Sequence, residues 1–398
     1  MEANMTSLLR KLSIIFCFLV LTGCNFFADS KYHYAEVDDS DLENMEALQF
    51  SKLLGNGINL GNTFEAAGSM WMGYNESAKK YETSWGQPET TKAMFQAMKQ
   101  AGFDTIRIPV AWTNTMDWRN KDYEINQDFM DRIKEVVGWA LDSGLYVMIN
   151  DHWDCGWWGL FGSNKTEAYK IFDAIWDQVG SEFKDYDYRL IFEAGNEEWG
   201  DRFNDEVDGK KGSLSVSEQY LLIHELSQHF VDKIRAQGGK NEKRFLLIPG
   251  YSTDIEKTCD SKYKMPEDKA NSVRKLFISV HYYTPADYCI LSEDASWAKV
   301  KKSWGSSAEI SAQNNLFKKM TKFTDQGYGV MIGEYAVARL KSGNNYVKKD
   351  GMEKWLKNVV TNCQTYNYVP YLWDCNDFFK KTGKLGFETD ELAAVYKK

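Results

Sequence analysis

Short apolar runs recur along this chain, each ending in polar or aromatic residues and followed by a stretch with helical periodicity. The runs are Gly57-Ile58-Asn59-Leu60-Gly61, Thr105 to Val110, Leu145 to Asn150, Leu190 to Phe192, Phe245 to Pro249, Leu276 to Val280, Val330 to Ile332 and Tyr368 to Trp373. Amphipathic stretches at 90–100, 129–141, 167–183, 217–234, 312–323 and 352–363 separate them. Unbroken apolar runs alternating with helices predict a parallel sheet covered by helices on its outer face. Eight such units favour closure, so the fold class expected is α/β, a (β/α)₈ TIM barrel in a single domain spanning 47–398. An open nucleotide-binding sheet would carry its Gly-rich turn after the first strand, and here Gly55-Asn56-Gly57 precedes it.

The ends of the runs carry the chemistry. Long loops follow the fourth, fifth and sixth strands, at 201–216, 251–274 and 283–307. In a barrel such loops gather on the face holding the strand C-termini, where sites are built. Polar residues sit at most of those ends: Asn62, Arg107, His152 with Trp153, Asn196 with Glu197, His281 with Tyr283, Glu334 and Trp373. Burying an unpaired carboxylate costs several kcal/mol, so Glu197 and Glu334, each placed where an apolar run stops, are expected to face a cleft. Two such acids on different strands suggest a pair acting on one bond. Taken singly each residue has a plainer reading. Arg107 can pair with Glu193 inside the barrel, either histidine can be a bonded core imidazole, Trp373 can be packing, and Asn62 a loop cap. Their joint occurrence on one face is what marks a site.

Composition narrows the partners. A net charge of −9 leaves no basic surface for nucleic acid. Aromatic residues make up 15% of the chain, including 14 Trp, which points weakly towards sugars, whose apolar ring faces stack on indole. His152, Asp154 and Cys155 lie close in sequence, but nothing nearby completes a metal site, and no metal or other cofactor is expected. At the N-terminus Arg10 and Lys11 precede an apolar stretch, Leu12 to Val20, too short to span a bilayer. It ends in Leu21-Thr22-Gly23-Cys24, which looks like a lipoprotein signal peptide over 1–23 with Cys24 as the lipidated residue. A polar tether, 24–46, would then hold the catalytic domain at a membrane surface outside the cytoplasm, facing the periplasm or the cell exterior. Seven Cys are present; with Cys17 and Cys24 assigned to the signal and anchor, five remain, and Cys363 with Cys375 is the pairing expected. The chain is expected to act as a monomer.

The strand-end motifs also carry a resemblance. Gly57-Ile58-Asn59-Leu60-Gly61-Asn62-Thr63, Gly102 to Val110, Ile149-Asn150-Asp151-His152-Trp153-Asp154, Phe192 to Glu197, Val280 to Pro285 and Ile332-Gly333-Glu334-Tyr335 occur in the order found in glycoside hydrolase family 5. From about residue 47 to the C-terminus the chain resembles that cellulase family, in particular its bacterial branch of endoglucanases, xyloglucanases and mixed-linkage glucanases. The sequence departs from the family at Glu198 and Trp199, where Pro usually follows the Asn-Glu pair, and at Ala336, often Gly.

The resemblance implies a retaining endo-β-1,4-glucanase acting on cellulose or related β-glucans, with xyloglucan, mixed-linkage glucan or mannan as alternatives, or an inactive glycan binder. It implies Glu197 as general acid/base and Glu334 as nucleophile, with Arg107 holding Glu334 charged and Glu197 titrating higher. It implies Asn196 on the sugar 2-hydroxyl, and Tyr283 and His281 orienting the carboxylates. His152 would border the same subsite, with Asn62 and Trp153 also among the substrate-binding residues. Trp373 would be the stacking platform, extended by Trp153, Trp157 and Trp158.

Overall fold

The computed structural model describes residues 32–397 apart from 33 and 36, so the expected signal peptide and Cys24 lie outside the described residues. Eight parallel strands close into a barrel: β1 (Gly57–Asn59), β2 (Thr105–Ile108), β3 (Tyr146–Asn150), β4 (Leu190–Glu193), β5 (Leu246–Pro249), β6 (Leu276–Tyr282), β7 (Gly329–Tyr335) and β8 (Tyr368–Leu372). Each pairs with its neighbour in sequence, and Gly57 of β1 registers with Tyr371 of β8 to complete the ring. These are the eight apolar runs, and nearly every strand residue is buried. A closed ring of strands covered by helices leaves no edge to protect and no wet face.

The main outer helices are α2 (Lys92–Gln100), α3 (Gln127–Asp142), α4 (Lys165–Glu182), α5 (Val216–Ala236), α6 (Ser307–Lys319) and α7 (Met352–Tyr366). Five match the amphipathic stretches closely. α6 begins five residues earlier than its apolar period predicts, because Ser306 and Glu309 form a reciprocal capping box that satisfies the first free amides. It also stops at Lys319, with a separate turn at Thr321–Thr324.

Ahead of β1, helix α1 (Ala47–Leu54) packs against the side chains that fill the barrel's lower interior. Met148, Ile191, Leu247, Phe277, Met331, Val369 and Tyr371 make that interior, and Phe50 of α1 stacks on Phe245 with ring centroids 3.9 Å apart. Burying a ring of this size is worth about 1.5–3 kcal/mol. The packed body extends further towards the N-terminus than the expected boundary at 47. Leu42 is buried in the same cluster, and Asp39 is held by Lys240 and by the amide of Tyr188. The part of the expected tether from Asp39 on is therefore a plug on the floor of the barrel.

The expected Cys363–Cys375 disulfide is absent; both are free thiols. Cys363 is buried within α7, whereas Cys375 is half-buried beyond β8, where its thiol faces Asp377 at 3.3 Å. No described helix is long and apolar enough to cross a membrane.

Candidate active site

Two of the polar residues predicted at the strand ends, Asn196 and Glu334, converge on a third, Arg107. This side chain rises from β2 into the barrel mouth and is fully buried. Its Nε donates to Glu193 at 2.6 Å, Nη1 to Asn59 and to Glu334 at 3.0 Å each, and Nη2 to Asn196 at 2.9 Å. One planar guanidinium thus joins β1, β2, β4, β7 and the loop after β4. The two sequence readings of Arg107, structural pairing with Glu193 and contact with Glu334, hold together. Both carboxylates raise its already high pKa against the opposing effect of burial, so it stays charged.

Local backbone geometry aims Glu334 at this mouth. Between β6 and β7 the register shifts: Val280 faces Ile332, but His281 faces Glu334, leaving Gly333 as an extra residue. A β-bulge of this kind redirects the side chain that follows it. The bulge also demands glycine, since a Cβ on Gly333 would lie 3.0 Å from His281 Nε2 and 2.8 Å from Ser279 Oγ. Asn59 Nδ2 donates to the Gly333 carbonyl and locks the turn. Glu334 then accepts from Arg107 on one oxygen and from the Tyr283 hydroxyl, at 2.9 Å, on the other.

Glu197 arrives from the opposite side on the segment after β4. Gly195 permits Trp199 to fold back beneath it, because a Cβ there would sit 2.2 Å from the indole nitrogen. Glu197 accepts a hydrogen bond from His281 Nδ1 at 2.8 Å, and its side chain is 41% exposed where that of Glu334 is 7% exposed. One oxygen of each carboxylate and a nitrogen of His281 all lie within 4.8 Å of one another. Among the described residues this is the one three-donor cluster close enough to hold a cation. Its donors are already engaged with each other, with Tyr283 and with the positive Arg107, an arrangement built for proton sharing.

The two carboxylates sit in unequal fields. Burial raises Glu334, and the His281 and Arg107 charges with the Tyr283 hydroxyl reduce that rise without cancelling it. Burial pushes Glu197 up too, but the hydrogen bond and charge of His281, helped by Arg107 and Arg202, carry it below its ordinary value. His281 shares in the balance: burial lowers it, and the charges of Glu334 and Glu197 more than restore it. The inequality comes from His281, whose proton bridges to Glu197, while Glu334 is shut away from water. His152 is driven well down by burial first and then by Arg107 and His281, so it is neutral, and its 3.9 Å approach to Glu334 is not an ion pair.

Trp373 follows β8 directly, and its ring lies parallel to His152 at 5.9 Å between centroids. Glu197, Tyr283, Glu334 and Trp373 line one cavity of about 440 Å³, walled further out by Ile290, Val337 and Phe378. Those outer residues belong to loops, and no sequence motif singled them out. Asn59 was missed as well, although it stands as the one polar residue in the first apolar run.

One expected placement changes. Trp157 and Trp158 are wholly buried and stack on each other at 4.2 Å, so they are core and extend no platform. Asn62 adopts the left-handed conformation, φ 58°, and its backbone amide bonds Glu65, which shapes the turn after β1. Trp153 is half-buried, and its indole lies close to Gly156.

A barrel with two carboxylates across its mouth, a buried arginine behind one and an indole floor defines a glycoside hydrolase. Comparison with known proteins agrees: the family model described as cellulase (glycosyl hydrolase family 5) matches residues 67–379, and the chain belongs to that family. The xyloglucan-specific endo-β-1,4-glucanase of Bacteroides ovatus is 31% identical over 389 residues, covering 92% of this chain and 72% of the relative. Endoglucanase A of Paenibacillus barcinonensis is 31% identical over 409 residues, covering 96% and 94%. Among solved structures, the family 5 lichenase of Caldicellulosiruptor sp. F32 superposes with a TM-score of 0.74 at 28% identity, covering 92% of this chain and 96% of that one.

Proposed function

We propose that this glycoside hydrolase, an endo-β-1,4-glucanase, cleaves internal glucosidic bonds with retention, using Glu334 as nucleophile and Glu197 as acid/base. The observation carrying the reading is the approach of the two carboxylates, with their nearest oxygens within 4.8 Å. Retaining glycosidases hold their carboxyls about 5–5.5 Å apart, whereas inverting ones leave about 6.5–9.5 Å for a water. Glu334 attacks the anomeric carbon, the glucosyl–oxygen bond to the leaving chain breaks, and Glu197 protonates that oxygen. Glu197 then takes a proton from water, which attacks the glucosyl-enzyme ester and releases the sugar with its configuration kept.

The surroundings support this division of labour. Arg107 and Tyr283 are permanent donors to Glu334 and favour it as an anion at the moment of attack. The partner of Glu197 is a histidine that can lose its proton, and a glucan lying over the exposed side chain would exclude water and raise Glu197 into an acid. In this reading Asn196, held by Arg107, bonds the 2-hydroxyl, and Trp373 stacks beneath the reacting ring.

Proton NMR of cello-oligosaccharide hydrolysis tests the proposal: the β-anomer must appear first, and initial α-anomer would overturn it. Unbranched β-1,4-glucan is the proposed main substrate. Small residues Ala336 and Ala338 beside Glu334 favour acceptance of branched or mixed-linkage glucans as a second reading, in keeping with the named activities of the relatives. Product profiles on cellulose, xyloglucan, lichenan and mannan decide between them.

We also propose that Cys24 is lipidated and anchors the enzyme in a bacterial envelope. The support is the apolar run from Leu12 to Val20 followed by Leu21-Thr22-Gly23-Cys24. Cys24→Ala is expected to move the protein from the detergent phase to the aqueous phase on Triton X-114 partition.

A further inference from the structure

Two adjacent apolar side chains stand out on the loop that follows β1. Met70 is 61% exposed and Trp71 56% exposed, on a short helical turn at Ser69–Met72. Leaving an indole and a thioether side by side in water is unfavourable, and on a soluble protein such a pair marks a contact surface. The turn is not a loose tip. Met72 packs against the main core, the amide of Ser69 donates to Asn114 Oδ1 at 3.1 Å, and Asn114 in turn holds the Ala66 carbonyl at 2.8 Å.

The same turn is tied at two points to loops that follow the barrel strands. Its loop starts at Gly61, where a Cβ would meet the Trp373 indole at 3.1 Å, so the chain leaves β1 in contact with that ring. At the other end Ser69 Oγ touches Cys155 Sγ at 3.3 Å, two residues after Trp153. The segment that brings Cys155 there is strained: Asp154 and Cys155 both adopt left-handed backbone, φ 45° and 60°, which L side chains avoid. Asp154 holds the strain in place by accepting from the Thr113 amide and hydroxyl. A costly turn thus fastens the Trp153 loop to the turn that presents Trp71.

We infer that Met70 and Trp71 form a distal glucan-binding platform, on which a glucosyl unit remote from the cleaved bond stacks while the same chain occupies the catalytic centre. This rests on the reading of the substrate as a β-1,4-glucan. The occupant is argued from continuity: the β1 loop leaves the strand-end face against Trp373, so a polymer lying over that ring and leaving the mouth on this side runs along the loop. Alternate units of an extended glucan present flat C–H faces, which match an exposed indole. The platform is a binding device, which touches no reacting atom, so it acts only on chains long enough to reach it.

Calorimetric titration of cellotriose and cellohexaose into Glu334→Gln and into the double variant Glu334→Gln/Trp71→Ala tests this without turnover. The Trp71 change is expected to weaken cellohexaose about tenfold while shifting cellotriose less than about twofold, and Trp71→Phe to recover most of the loss. Equal weakening of both sugars, or none, overturns the platform. Sedimentation showing a dimer that Trp71→Ala dissolves also overturns it, and assigns the face to a second copy of this chain. Residual glucan cleavage by Glu334→Gln would instead count against the catalytic assignment, leaving the length dependence to judge the platform.

Discussion

The ends of β4 and β7 each deliver one glutamate to the same cleft, yet they do so by opposite means. Glu334 lies within a bulged strand, is buried, and is held by a permanent cation and a phenol. Glu197 follows a glycine turn, is two-fifths exposed, and has a single titratable partner in His281. A nucleophile needs a fixed position and a stable charge. An acid/base must take up and lose a proton within each cycle. The difference between rigid and adjustable surroundings, more than the identity of the two side chains, separates the roles proposed for them.

The largest expected effect comes from removing each carboxylate in turn. On cellulose-type substrates Glu334→Gln and Glu197→Gln are both expected to lose about a thousandfold or more in kcat. With a dinitrophenyl cellobioside, whose leaving group needs no proton, only Glu197→Gln should recover its first step, and added azide should be captured as the β-glycosyl azide. Equal behaviour of the two variants on that substrate would break the comparison.

Arg107 comes next. Replacing it with Met strands Glu193 and Glu334 in a buried site, and urea denaturation is expected to show a loss of about 3–5 kcal/mol. The same variant should lose activity at temperatures where it is still folded. A variant with native stability would mean that the guanidinium is not the hub described.

His281→Asn sharpens the comparison on the Glu197 side. His281 lowers the Glu197 carboxyl, so its removal raises it, and Glu197 keeps its proton to higher pH. The alkaline limb of kcat/KM is therefore expected to move to higher pH, with kcat reduced by poorer positioning. A limb that stayed in place would show that His281 does not set this titration.

The smallest effect concerns Glu198, next to the acid. It is buried with one oxygen unpaired, and burial first, then the Glu197 charge, push it up to about 8, against the pull of Arg202 3.7 Å away. A carboxyl whose folded value lies above its unfolded value costs nothing below the unfolded value. The penalty grows as pH rises and is complete above the folded value. Glu198→Gln should accordingly raise Tm by a few degrees near pH 9 and change it little near pH 5. The Gln side chain keeps the shape, so a similar shift at both pH values would rule out the charge as cause.

Much of this arrangement was legible beforehand in particular residues. The eight runs became the eight strands because a barrel strand is buried on both faces, and continuous apolar sequence has few other uses. The strand-end polar residues were found because polar groups at such positions must either pair or face a cleft. Less legible was anything that depends on what lies across the barrel. Trp157 and Trp158 looked like Trp153 in sequence, and only the packing of the loop made them core. The two thiols expected to pair remain separate, since sequence carries no measure of distance between Cys363 and Cys375.

By itself, then, the sequence determined the barrel, its family and the two glutamates. Each of these is written in local periodicity and in residue types whose burial would otherwise be too costly. Only the tertiary structure decided which carboxylate is sealed and which is open, that His281 bridges to Glu197, and that residues from Asp39 plug the floor. Those outcomes arise where segments distant in the chain meet, and a side chain's electrostatic character there depends on its neighbours in space.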